Sequence, residues 1–208
     1  MLKFNEYNKY EDRIKPQLRF YSFDWDDNIL FMPTVIHMER LEDGEWIPED
    51  VSTEKFAKVR KDSNYRIINN DPEEAFSEFK DNGPRGKDAF LNDIKNAISK
   101  GKYGPSWNDF IESLTNGSIF SIITARGHNP EPMRESVRWI IDNILTQDQK
   151  DEMAANLTGY LQSFEGEDVL SNAKSFDDLV DYYLSFCDFY GVSSPWFEKN
   201  IYAGSASD

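Results

Sequence analysis

The sequence predicts an α/β fold: a three-layer, Rossmann-like core interrupted by a large, mainly helical insertion. Two observations point there. Short apolar runs at residues 20–23 and 119–123 each end abruptly in a polar turn, as buried strands do. Segments with helical apolar spacing fill the chain between these runs and after the second. At 208 residues the chain is long enough for one domain with a substantial core and an insertion.

The elements follow in order. Residues 18–24 read as the first core strand. After Met32-Pro33, two strand-like runs flank Glu42-Asp43-Gly44-Glu45, and Asp-Gly between such runs predicts a β-hairpin. Asp71 followed by Pro72 is a helix start, with Asp as the cap and Pro at the first position. Phe90, Leu91, Ile94, Ala97 and Ile98 form one apolar helical face, which stops before Gly101. Ser106 to Asp109 resembles a capping box for a helix carrying Phe110, Ile111 and Leu114. Residues 119–123 are a second strand. Pro130 and Pro132 then open a helix with Met133, Val137, Ile140, Ile141 and Ile144 on one face. Met153, Leu157, Tyr160 and Leu161 mark another. Ser175 and Asp178 would cap a last helix with Phe176, Leu179, Val180, Tyr183 and Leu184, and residues 188–193 read as a third core strand.

Two turns carry the chemistry. The first strand runs into Asp24-Trp25-Asp26-Asp27-Asn28. Carboxylates crowded at a strand end repel one another and lose solvation, so a positive partner belongs there, with a hard cation such as Mg²⁺ the natural candidate. Taken alone, the segment reads first as a turn, which Asp and Asn both favour. The second strand runs into Thr124-Ala125-Arg126-Gly127-His128 and then the helix. A strand-to-helix turn with a hydroxyl, a guanidinium and free backbone N–H groups is an anion site. Thr124 as a simple turn cap, with Gly127 supplying an unusual φ, is the plainer alternative. His128 is either a substrate contact or an exposed loop residue.

Together, Asp24-x-Asp26 at one strand end and Thr124 at another resemble the haloacid dehalogenase (HAD) phosphohydrolase superfamily. The resemblance implies residues 1–33 and 118–208 as the HAD-like core, and residues 34–117 as a flap hairpin and cap over the site. It implies a Mg²⁺-dependent phosphomonoester hydrolase acting through an aspartyl-phosphate. In that scheme Asp24 is the nucleophile and Asp26 the general acid and base. Asp24 and the backbone carbonyl of Asp26 hold the metal, and Thr124 and Arg126 bind the phosphate of a small phosphorylated substrate. The chain departs from the pattern at Asp27-Asn28, where the family has Gly-Thr, and in its late motifs. Lys174 and Lys199 are the weak candidates for the third-motif lysine. Asp177-Asp178 is the one late acidic pair, and its context suggests a helix cap first. Gly204 to Asp208 lacks the first carboxylate of the fourth motif. The alternative implied is a catalytically incomplete HAD-like module that binds a metal, a phosphorylated ligand or a protein partner.

Composition bounds the remaining possibilities. Hydrophobic residues are 39% and aromatics 14%, values of a folding chain. A formal net charge of -15 and a pI near 4.5 disfavour a broad nucleic-acid surface or an anionic membrane as partner. Mean hydropathy is -0.68, no apolar stretch is long enough to span a bilayer, and the N-terminus lacks signal-peptide character, so a cytoplasmic location is expected. The single cysteine, Cys187, excludes an internal disulfide. There is no Gly-x-Ser-x-Gly elbow, residues 83–87 are too short for a P-loop, and His37 and His128 are too few for a histidine-rich metal site.

Overall fold

The computed structural model describes residues 19–164 and 175–202. The protein is mixed α/β with two small open sheets. In chain order the elements are β1 (Phe20–Phe23), β2 (Ile36–Glu42), β3 (Glu45–Val51), α1 (Thr53–Val59), β4 (Tyr65–Ile67), α2 (Pro72–Ala75), α3 (Ala89–Ser99), α4 (Trp107–Thr115), β5 (Ile119–Thr124), α5 (Pro130–Asn143), α6 (Gln147–Phe164), α7 (Phe176–Leu184) and β6 (Asp188–Gly191). One sheet has the order β1-β5-β6, and the other β3-β2-β4. Strands β1 and β5 run parallel, with Phe20 opposite Ile119 and Phe23 opposite Ile122, so their C-terminal ends lie on the same edge.

The chain divides into two compact units. The first contains the described residues of Met1–Phe23, Asn108–Ile122 and Val137–Asp188. Its core is aromatic and aliphatic. Phe23, Phe110 and Phe120 meet edge to face, with Phe23 and Phe110 centroids 5.5 Å apart. Val137, Ile140 and Ile141 from α5, Met153, Leu157 and Leu161 from α6, and Leu179, Val180 and Leu184 from α7 are all buried. The buried Tyr183 hydroxyl donates to the Ser118 carbonyl at 2.6 Å. Arg138 ties α5 to α7 through Asp177, at 2.5 Å, and Asp181. Cys187 is buried, as packing would have it.

The second unit contains Asp24–Trp107, Ile123–Ser136 and the described residues of Phe189–Asp208. The expected hairpin is present as β2 and β3. Asp43 and Gly44 turn it with φ of 50° and 85°, the paired positive φ values of a type I′ turn. It extends to a third strand that the sequence reading did not anticipate: β4 pairs antiparallel with the other side of β2. Ile36, Met38, Val51 and Phe79 form the buried cluster here, with Phe56, Val59, Tyr65 and Phe76 packed on it. Residues 34–117 thus hold a small sheet as well as α1 to α4.

Candidate functional site: a carboxylate turn locked by a buried arginine

The two predicted turns meet within the second unit. Residues 24–30 form a compact loop after β1. Ile29 N and Leu30 N both donate to the Trp25 carbonyl, at 3.0 and 3.3 Å, and Asp27 N donates to Leu30 O at 3.0 Å. The loop is anchored by Trp25, which is fully buried against Phe90 with centroids 5.1 Å apart. It is backed by Gly104, where a Cβ would stand 2.2 Å from the Asn28 carbonyl oxygen. Asp27 takes a φ of 58°, which Asp tolerates better than most residues. The result points Asp24 outward, where it is exposed, and Asp26 inward.

Asp26 meets the second turn. Arg126 Nε donates to Asp26 Oδ2 at 2.8 Å and Nη2 to Oδ1 at 2.7 Å, a two-pronged pair across 100 residues of sequence. Thr124 Oγ1 lies 3.4 Å from Asp26 Oδ2, and Arg126 N lies 3.4 Å from Thr124 Oγ1. Thr124 and Arg126 are both buried, Arg126 at 1% exposure. The guanidinium carbon sits 4.6 Å from the centre of the Phe79 ring and 5.3 Å from that of Phe90. A charge so deeply placed needs matched acceptors and π faces.

The pair belongs to a longer chain of contacts. Arg126 Nη2 also donates to Thr34 Oγ1 at 2.8 Å, and Thr34 Oγ1 donates to Asp93 Oδ2 at 2.5 Å. A hydroxyl has one proton, so the Asp93 carboxylate claims it and leaves the lone pairs for Arg126. Asp93 is in turn gripped by both terminal nitrogens of Arg85. Neither Thr34 nor Asp93 stood out in the sequence, since a lone Thr and a lone helical Asp carry no motif. Arg126 itself was expected as a phosphate ligand; here it holds Asp26, and Nη1 is its one buried nitrogen with no partner among the described residues.

His128 is fully buried. Its Nδ1 lies 2.7 Å from Asp81 Oδ1, and its ring lies 4.9 Å from that of Phe90. The exposed-loop alternative is set aside. Asp81 Oδ2 also accepts from Asn129 N at 2.8 Å, which fixes the start of α5. Gly191, at the end of β6, lets this backbone approach, because a Cβ there would meet His128 O at 2.3 Å.

Charge crowding shows in the acids. The Asp24 carboxyl is held above the ordinary carboxylate range, chiefly by desolvation; a hydrogen bond from Trp25 N opposes this, and repulsion from Asp26 and Asp27 adds to it. Asp27 is raised as well, again first by desolvation and then by Asp26 and Glu54. Among the described residues Arg126 is the one cation acting on either group, and its Nε and Nη2 are already engaged by Asp26. This crowding suits a divalent cation. Mg²⁺ binds through one or two carboxylates and fills the rest of its shell with water and phosphate oxygens, and Asp24 is the exposed carboxylate here that could enter such a shell. Asp26 would contribute only its backbone carbonyl, its carboxylate being taken. Among the described residues no group of three or more His, Cys, Asp or Glu side chains is gathered as a complete metal cage.

The late-motif candidates lie elsewhere. Asp178 closes a capping box with Ser175 at the start of α7, and Asp177 binds Arg138. Lys174 and residues 204–208 lie outside the described residues, and Lys199 lies beyond β6. No helix among the described residues is long and apolar enough to cross a membrane. Comparison of the chain with family models, with curated proteins and with solved structures finds no match, so its function has to be argued from this site.

Proposed function

We propose that the protein is a Mg²⁺-dependent phosphomonoester hydrolase of the HAD type, with a Rossmann-like core around β1 and β5. The observation that carries this reading is that Asp26, two residues after Asp24 in the turn that follows β1, meets Thr124 and Arg126 in the turn that ends β5, the strand parallel to β1, and α/β sheets bind ligands at such strand ends. Asp24, exposed beside a protected Asp26, attacks phosphorus as the P–O bond to the leaving group breaks, forming an aspartyl-phosphate. Asp26 protonates the departing oxygen and then takes a proton from the water that cleaves the acyl-phosphate. For the first of these tasks it must enter the cycle protonated, with that oxygen released from Arg126, and the proton it takes from water in the second step restores this form. Thr124 Oγ1 and the turn amides receive phosphoryl oxygens. A Mg²⁺ ion held by Asp24 and the Asp26 carbonyl would offset charge between nucleophile and phosphate.

The test is turnover of p-nitrophenyl phosphate with Mg²⁺. Asp24→Asn abolishes it. Asp26→Asn loses about a hundred- to ten-thousand-fold on alkyl phosphates, whose leaving oxygen needs a proton, and much less on the nitrophenyl ester, whose leaving group does not. Turnover surviving Asp24→Asn would falsify the mechanism.

A second reading is a HAD-like module that binds a metal or phosphorylated ligand without turnover. The two-pronged engagement of Asp26 and the structural use of Asp177 and Asp178 favour it. Binding of vanadate with Mg²⁺, with no hydrolysis of any ester, distinguishes it.

A further inference from the structure

A cavity of about 430 Å³ opens in the second unit, lined in part by Asp27 of the carboxylate turn. Its volume lies within the ~300–1,000 Å³ of small-molecule sites. The rest of its lining divides by chemistry. Phe31, 40% exposed, and Met32 give it an apolar wall. Glu54, Lys100 and Lys102 give it charge. Glu54 is answered by Lys58 at 2.5 Å. Lys100 and Lys102 have no ion-pair partner among the described residues, although acids outnumber bases 38 to 23 in the chain.

The two lysines are presented by a fixed turn. Lys100 caps α3, Gly101 reverses the chain at φ 63°, and Lys102 N returns a hydrogen bond to Ala97 O at 2.9 Å. Phe31 N then donates to Lys102 O at 2.9 Å, which ties the lysine turn to the apolar wall. Lys100 also suits the negative end of the α3 dipole. Lys102, beyond the turn, has no such role.

We propose that this cavity receives the leaving group of the phosphomonoester, and that Lys100 and Lys102 bind a second phosphate carried on it. The substrate class is a small bisphosphorylated compound whose apolar or planar body lies against Phe31 and Met32. The assignment rests on the hydrolase reading: Asp27, which lines the cavity, belongs to the same turn as Asp24 and Asp26. Compact ammonium groups bind phosphate as point charges without demanding one orientation. In a chain of net charge -15, they supply the local attraction a doubly phosphorylated ligand needs.

The test measures binding by calorimetry in the parent chain with EDTA in place of Mg²⁺, which leaves both ligands intact, using adenosine 5′-monophosphate and adenosine 3′,5′-bisphosphate, which differ by one phosphate. The bisphosphate binds at least about tenfold more tightly. Adding Lys100→Gln and Lys102→Gln brings its affinity down to that of the monophosphate. Equal affinities, a preference that survives loss of both lysines, or no binding of either nucleotide overturns the proposal. Turnover of p-nitrophenyl phosphate by the parent chain is read separately. Turnover without bisphosphate preference defeats the cavity assignment alone, whereas lysine-dependent preference without turnover defeats the hydrolase reading and with it the leaving-group role, leaving only a phosphate site at the two lysines.

Discussion

At the scale of single residues, Arg126 sets the character of the site. A buried guanidinium persists only while its donors stay matched, so its acceptors are structural as well as chemical. Removing the Asp26 side chain leaves Arg126 buried and uncompensated; Asp26→Ala should cost about 3 kcal/mol of stability by urea unfolding. Thr34→Val deletes the hydroxyl between Arg126 and Asp93 and should cost about 1–3 kcal/mol, whereas Thr34→Ser keeps the same donor and acceptor and should stay within about 1 kcal/mol of the parent. Equal losses for Val and Ser would mean that the contact is packing, not hydrogen bonding. Asp24 works in the opposite sense. Its carboxyl is raised by the fold, so the native state holds a proton more tightly than the unfolded chain. Its contribution is most favourable below about pH 4 and is lost as pH rises through the raised value. Asp24→Asn should therefore stabilise the protein at pH 7, by less than about 1 kcal/mol because the group is exposed and screened, and the gain should vanish in acid.

At the scale of elements, α7 combines a strong start with a sensitive middle. Ser175 and Asp178 satisfy each other's backbone N–H groups, so Ser175→Ala should lose about 1 kcal/mol. Tyr183, buried further along the helix, is pushed well above the ordinary phenol range by desolvation, with Cys187 adding to it. The folded state therefore keeps that proton where the unfolded chain releases it. Stability from this group is full below about pH 10 and declines above it. Tyr183→Phe should cost about 1 kcal/mol at pH 7, by losing the bond to Ser118 O, and should flatten the alkaline decline in Tm. A decline as steep as the parent's would assign alkaline sensitivity to other groups.

The same scale explains what the sequence could and could not reveal. Helices α3, α5 and α7 were legible because their apolar spacing and caps are local signals, and the Asp43-Gly44 turn announced the β2–β3 hairpin. Strand β4 was not, because three half-buried residues, Tyr65 to Ile67, become a strand only by pairing with Met38 to Arg40. In the site, Asp24, Asp26, Thr124 and Arg126 were found by their places at strand ends. Thr34, Asp81 and Asp93 were invisible, since each acquires its role from a partner 47 to 92 residues away. The burial of His128 was hidden for the same reason: nothing near it in sequence predicts Asp81.

At the scale of the whole molecule, net charge complicates any test for a metal. A chain of formal charge -15 repels itself, and any added cation relieves that repulsion. A rise in Tm with Mg²⁺ is thus expected even without a site. Specific binding must show as an increment above sodium chloride matched in ionic strength. If the Asp24 site binds with a Kd of about 1 mM, 10 mM Mg²⁺ adds about 1.4 kcal/mol by mass action. For a chain of this size that is a rise of about 3–6 °C. The increment should disappear in Asp24→Asn, whose melt in Mg²⁺ should then coincide with its melt in the matched salt. Asp177→Asn, in the first unit and bound to Arg138, should keep the full increment. If parent and Asp24→Asn gain equally over sodium chloride, the cation is answering the overall charge and the carboxylate turn holds no metal.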